Sequence, residues 1–137
     1  MAKPRRQAPP QRLILDAGAV IALARADARA RAAVAAALES GAGVSIPAVV
    51  VAETVRGQAP DAPVNRVLKA VGEVDVADEA IGRTAGRLLG AARSSATIDA
   101  IVVATAVETG GAVVLTGDPG DLSALAASSA GVVIEPL

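Results

Sequence analysis

The sequence predicts an α/β fold, a three-layer α/β/α sandwich around a parallel sheet of about five strands. Three observations carry this. Short apolar runs alternate with segments of helical spacing from residue 12 to the end, acids stand at or just past several of those runs, and no internal repeat or second domain interrupts them. At 137 residues the chain suits one domain, and a domain of that length buries roughly two thirds of its unfolded surface without needing staples.

Residues 12–16 read as a strand ending in Asp16, followed by a helix from Gly18 to Arg25, where Val20, Ile21 and Leu23 share helical spacing. Asp27 is placed to cap an alanine-rich helix through Ala28–Glu39, which Ser40-Gly41 closes. Val44 to Ile46 is a second strand. Pro47 fits the first turn of a helix that carries Glu53 and Arg56 and stops near Gly57. Asp61 and Pro63 open another helix to Val71, and a third strand around Glu73–Val76 alternates apolar and acidic residues, as an edge with one solvated face would. Asp78 caps a long helix to about Arg93, and Thr97 caps the next through Glu108, ended by Gly110-Gly111. Ala112–Thr116 is a fourth strand, Pro119–Ala127 a short helix and Gly131–Glu135 the last strand.

Composition removes several classes of function. There is no cysteine, so no disulfide forms, which suits a reducing compartment. Hydrophobic residues make up 53% of the chain, yet the longest strongly apolar stretch, Leu13 to Ala24, contains Asp16 and falls short of the about 20 residues a membrane span needs. Met1-Ala2-Lys3-Pro4-Arg5-Arg6 is basic like the start of an export signal, but Pro9, Pro10, Gln11 and Arg12 stand where its apolar core should begin. Residues 1–11 therefore read as a disordered basic tail and 12–137 as the domain, in a cytoplasmic protein with no membrane contact. The net charge of −1 gives no global attraction to nucleic acid, so any such contact must be local. With no Phe, Tyr, Trp or His, base recognition by ring stacking is excluded.

Four acids stand beside apolar surface: Asp16 after Leu13-Ile14-Leu15, Glu53 after Val49-Val50-Val51-Ala52, Asp99 within Thr97-Ile98-Asp99-Ala100-Ile101, and Asp118 after Val113-Val114-Leu115-Thr116-Gly117. Taken singly, each has a structural use: Asp99 complements a helix dipole, Asp118 forms an Asx turn before Pro119-Gly120, and Glu53 pairs with Arg56 one turn on. Joint placement favours a site. In a parallel sheet the crevice lies at the carboxyl ends of the strands, where Asp16, Asp99 and Asp118 can converge and Glu53, about two turns into its helix, could reach. Clustered carboxylates repel one another and hold protons unless a cation intervenes. Mg²⁺ or Mn²⁺ suits an all-oxygen set, whereas zinc sites usually include His or Cys. Such a site suits phosphodiester hydrolysis, which needs no side-chain nucleophile.

The blocks Leu13-Ile14-Leu15-Asp16-Ala17-Gly18, Ala52-Glu53-Thr54-Val55-Arg56-Gly57, Ile98 to Ala106 and Leu115-Thr116-Gly117-Asp118-Pro119-Gly120-Asp121-Leu122 resemble, in order and spacing, the four acidic blocks of PIN-domain ribonucleases. The likeness is greatest to the small VapC-type toxins of bacterial toxin–antitoxin pairs and runs over nearly the whole chain from residue 12. The resemblance implies a Mg²⁺- or Mn²⁺-dependent endoribonuclease acting on RNA and neutralised by a cognate antitoxin. It makes Asp16 and Asp99 the principal metal ligands, with Glu53 and Asp118 completing the pocket directly or through water. Thr116 matches a hydroxyl that holds a ligand or water, and Arg56 matches an arginine that contacts phosphate or antitoxin, its bland alternative being the ion pair with Glu53. Two departures stand out: Ala17-Gly18 offers no hydroxyl after the first aspartate, and Leu122 replaces an aromatic. Asp121 rivals Asp118 as the fourth acid, with Asp118 preferred as nearer the strand end.

Arg25 with Arg29, and Arg83 with Arg87, share helical spacing and could line an RNA path, although such pairs are more often solvated faces. The apolar excess suggests exposed Ala- and Val-rich helix faces, as in a homodimer or antitoxin interface. A phosphatase reading fails for want of a lysine near the acids, and a dinucleotide-binding reading for want of a glycine-rich fingerprint. The remaining alternative is a catalytically silent PIN fold that only binds a protein partner.

Overall fold

The computed structural model describes residues 11–137, so the basic tail lies, apart from Gln11, outside the described residues. Five strands, β1 (Arg12–Leu15), β2 (Val44–Pro47), β3 (Val74–Asp75), β4 (Ala112–Thr116) and β5 (Val132–Pro136), form one parallel sheet in the order β3-β2-β1-β4-β5. Successive strand residues point to opposite faces. Leu13, Ile14 and Leu15 are all buried, and so are Val44, Ser45 and Ile46. Both faces of the central strands are therefore covered, which gives the three layers expected. Each fully buried Leu or Ile adds roughly 1.5–3 kcal/mol. As predicted, β3 is an edge: Val74 is 47% exposed.

Seven helices supply the outer layers: α1 (Ala17–Ala24), α2 (Ala28–Glu39), α3 (Ala48–Thr54), α4 (Ala62–Val71), α5 (Glu79–Ala92), α6 (Thr97–Glu108) and α7 (Pro119–Ala126). The side chains of Asp27 and Asp78 accept the Ala30 and Ile81 N–H groups at 2.9 Å, as capping predicts. Helix α6 is the core helix, with Ala100 and Val102 to Ala106 buried, and it packs on β1, β4 and β5. No single helix among the described residues is long and apolar enough to cross a membrane.

Four local expectations are corrected. Ala96, not Thr97, precedes α6 as its cap, because the Thr97 hydroxyl is engaged by the Ser95 carbonyl and Thr97 is already helical. Pro47 closes β2 and stands just before α3 instead of within its first turn. Helix α3 stops at Thr54, whose hydroxyl bonds back to the Val50 carbonyl at 2.9 Å, so Arg56 follows the helix after an extended Val55. Asp61 does not cap α4 with its side chain; a 3₁₀ turn, Ala59–Asp61, comes first, and the carboxylate turns back toward residues 56–58.

Candidate active site

The chain leaves β1 toward β2 and β3 on one side and returns to place β4 on the other, so the strand order reverses between β1 and β4. Ligand crevices open at the carboxyl ends of strands at such a point. Asp16 follows β1 there. Its N–H donates to the Leu115 carbonyl at 3.0 Å, extending the β1–β4 ladder to the first site residue. Its side chain makes no capping bond to α1 and is only 8% exposed. The fully buried Thr116 hydroxyl donates to Asp16 Oδ2 at 2.9 Å and accepts the Asp118 N–H at 3.0 Å. A hydroxyl has one proton, and the Asp118 carbonyl at 3.2 Å is the longer of its two possible acceptors. Thr116 thus orients Asp16 and the Asp118 turn together.

This junction is close-packed. A Cβ on Gly18 would stand 2.8 Å from the Gly117 nitrogen, a contact real Cβ atoms do not make, so the start of α1 meets the β4–α7 turn only because residue 18 is glycine.

Glu53, on α3, is half-buried, and its Oε1 is a buried oxygen with no partner among the described residues. Burial first, then the charges of Asp16 and Asp99, raise its carboxyl pKa, while Arg56 acts in the opposite sense. Asp99, in the first turn of α6, is raised for the same reasons: burial, then Asp16, Asp121 and Asp118. The structure therefore brings Asp16, Glu53, Asp99 and Asp118 into one electrostatic neighbourhood, with Asp121 as a fifth member. Asp118 is engaged locally, its Oδ1 accepting the Gly120 N–H at 3.4 Å as the cap of α7, whereas Asp121 makes no side-chain hydrogen bond among the described residues and bears more strongly on Asp99.

These residues fit a divalent cation. The donors are all hard oxygens, one of them orphaned, and their mutual repulsion is what a cation would relieve. Among the described residues no three carboxylates stand close enough to ligate one ion together. The fit is therefore to an ion held by one or two carboxylates and otherwise by water, which is how Mg²⁺ is usually bound.

Arg56 does not pair with Glu53. Its Nη1 donates to the Ala52 and Val55 carbonyls at 3.0 and 3.1 Å. Arg83 is occupied by Glu79 at 3.0 Å. Arg87 lines a cavity with Gly110, Gly111 and Gly131, at the amino ends of β4 and β5 and so at the opposite end of the sheet from the acids. Sequence reasoning missed Gly18 and misplaced Asp61. The Gly18 contact has no local signature, since Gly117 is distant in the chain.

Among curated proteins no relative matches. By structure the chain is similar to a toxin–antitoxin complex from Klebsiella pneumoniae (21% identity, TM-score 0.67, covering 88% of this chain and 95% of that one). It is also similar to VapBC2 from Rickettsia felis bound to a DNA fragment from their promoter (11%, TM-score 0.72, 91% and 98%). A third likeness is to VapBC-5 from Mycobacterium tuberculosis, a member of the VapBC family of toxin–antitoxin systems (21%, TM-score 0.59, 94% and 100%). At these identities the likeness is one of fold. The family model of the PIN domain matches residues 13–127, most of the chain, and the chain belongs to the PIN domain family.

Proposed function

We propose that the protein is a metal-dependent endoribonuclease that hydrolyses RNA phosphodiester bonds at the pocket of Asp16, Glu53, Asp99 and Asp118, and that it is the toxin of a toxin–antitoxin pair. The observation that carries this reading is the mutual coupling of the carboxylates, Glu53 with Asp16 and Asp99, and Asp99 with Asp16, Asp121 and Asp118, beside a buried Glu53 Oε1 that has no partner among the described residues. In it, Asp16 and Asp99 would hold Mg²⁺, or Mn²⁺ in its place, with Glu53 and Asp118, or Asp121 in place of Asp118, completing the acidic set directly or through water. The bound ion would lower the pKa of a water to supply the nucleophile. Thr116 keeps Asp16 in the orientation that faces the pocket. Glu53 Oε1, which has no partner among the described residues, would be placed to accept a hydrogen bond from a water at the site. The similar solved structures, a toxin–antitoxin complex from Klebsiella pneumoniae and VapBC-5, a member of the VapBC family of toxin–antitoxin systems, support an antitoxin as partner. A homodimer and a cytoplasmic setting belong to the same proposal.

A catalytically silent module that only binds a partner is the second reading, favoured by the lack, among the described residues, of any three carboxylates close enough to share an ion. Titrating Mg²⁺ into antitoxin-free protein with a structured RNA separates the two. Cleavage that rises with Mg²⁺ and disappears in Asp99→Asn supports the nuclease, while equal cleavage by wild type and variant marks a contaminant and leaves the silent module standing.

A further inference from the structure

Asp61 is an acid that the proposed chemistry does not use, yet it is 8% exposed. Its carboxylate accepts three consecutive backbone N–H groups: Arg56 at 3.1 and 3.0 Å, Gly57 at 2.7 Å and Gln58 at 3.2 Å. Gly57 takes a φ of 77°, the left-handed conformation that lets the three N–H groups turn toward one anion. A carboxylate is a strong acceptor for such donors. The loop so gathered begins where α3 ends and carries Arg56, whose charge reaches Glu53. The guanidinium is pinned by Nη1 to the carbonyls of Ala52 and Val55. Its Nη2 and Nε donate to nothing among the described residues, and Arg56 is exposed. Two unpaired guanidinium donors held beside an acidic pocket present the fork that grips a phosphate.

We propose that Asp61 is a positioning residue: its carboxylate fixes residues 55–58 so that Arg56 stands at the edge of the acidic pocket and takes a backbone phosphate of the RNA. This rests on the nuclease reading for its substrate. Asp61 touches no RNA itself. It acts through Arg56.

Binding of a labelled, mixed-sequence single-stranded RNA, measured in chelator across a salt series, tests this without cleavage. Each phosphate contact contributes about 0.7 to the slope of log K against log salt for a single strand. Arg56→Ala should weaken binding several-fold and flatten the slope by about that amount. Asp61→Asn should do the same, and the double variant should add nothing further. The sign is decisive, because removing an acidic charge would by itself strengthen RNA binding. Asp61→Asn that binds as tightly as wild type with an unchanged slope overturns the proposal, as does a wild type that binds no RNA. If Asp61→Asn fails to fold, Gly57→Ala strains the same loop at its positive φ without altering charge; it should flatten the slope equally, and an unchanged slope again overturns the proposal. Mg²⁺ is added last: a wild type that binds with the predicted slopes but does not cleave sinks the nuclease reading alone, and one that cleaves while the slopes stay equal sinks this proposal alone.

Discussion

Thr116 is the residue through which the geometry of the pocket is most directly set, since one buried hydroxyl serves both Asp16 and the Asp118 turn. Thr116→Val keeps the shape and removes both hydrogen bonds. It should cost about 1–3 kcal/mol in urea denaturation, while Thr116→Ser should stay near wild type. Glu53 behaves oppositely. Its raised pKa, from an ordinary value of 4.5, means that its favourable contribution is fully present below that value and is lost as pH rises through the folded pKa. In chelator, Glu53→Gln should therefore be more stable than wild type at neutral pH, with the gap closing as pH falls toward the carboxylate range. A gap that stays constant with pH would contradict the burial of its charge. At this scale the acids were legible in the sequence, because a carboxylate bordering an apolar run is conspicuous. Asp61 was not: an acid two residues before Pro63 is a normal helix start, and the loop it gathers lies before it in the chain, out of reach of any capping pattern.

Elements were read well where their cause is local. Asp27 and Asp78 cap α2 and α5 by contacts within three residues, and the alternating acids of β3 do mark an edge. They were misread where a side chain had a competing partner, as with the Thr54 hydroxyl at the end of α3 and the Thr97 hydroxyl before α6. Two glycine substitutions should move stability in opposite directions for reasons of packing. Gly86 in α5 is exposed with open space around a would-be Cβ, so Gly86→Ala should stabilise by about 0.5–1 kcal/mol. Gly18→Ala should destabilise, because its Cβ meets the Gly117 backbone at 2.8 Å and must push the β4–α7 turn away from α1. Denaturation midpoints of the two variants measured side by side check both signs; a stabilising Gly18→Ala would show that the junction is looser than described.

For the whole molecule, alternation of strands and helices was enough to foresee the layers and the parallel sheet, since parallel strands need helical crossovers. Strand order was not readable, because it depends on which strands pair across long stretches of chain. That order is what makes the site: it sets β4 beside β1 and so brings Thr116 and Asp118 to Asp16 across a hundred residues. A fold that gathers this many carboxylates should gain stability from the cation that relieves them, about 2.7 kcal/mol at a hundredfold excess over the dissociation constant. Melting curves with and without Mg²⁺ would show this as a rise in Tm that Asp16→Asn diminishes.

In the proposed reading Asp16, Glu53, Asp99 and Asp118 form one divalent-cation site. Mn²⁺ binding to the antitoxin-free protein, followed by electron paramagnetic resonance, addresses it without relying on any RNA. Saturable binding by the wild type that is lost in both Asp16→Asn and Asp99→Asn is the predicted result. Absence of binding, or binding unchanged by either substitution, would contradict it.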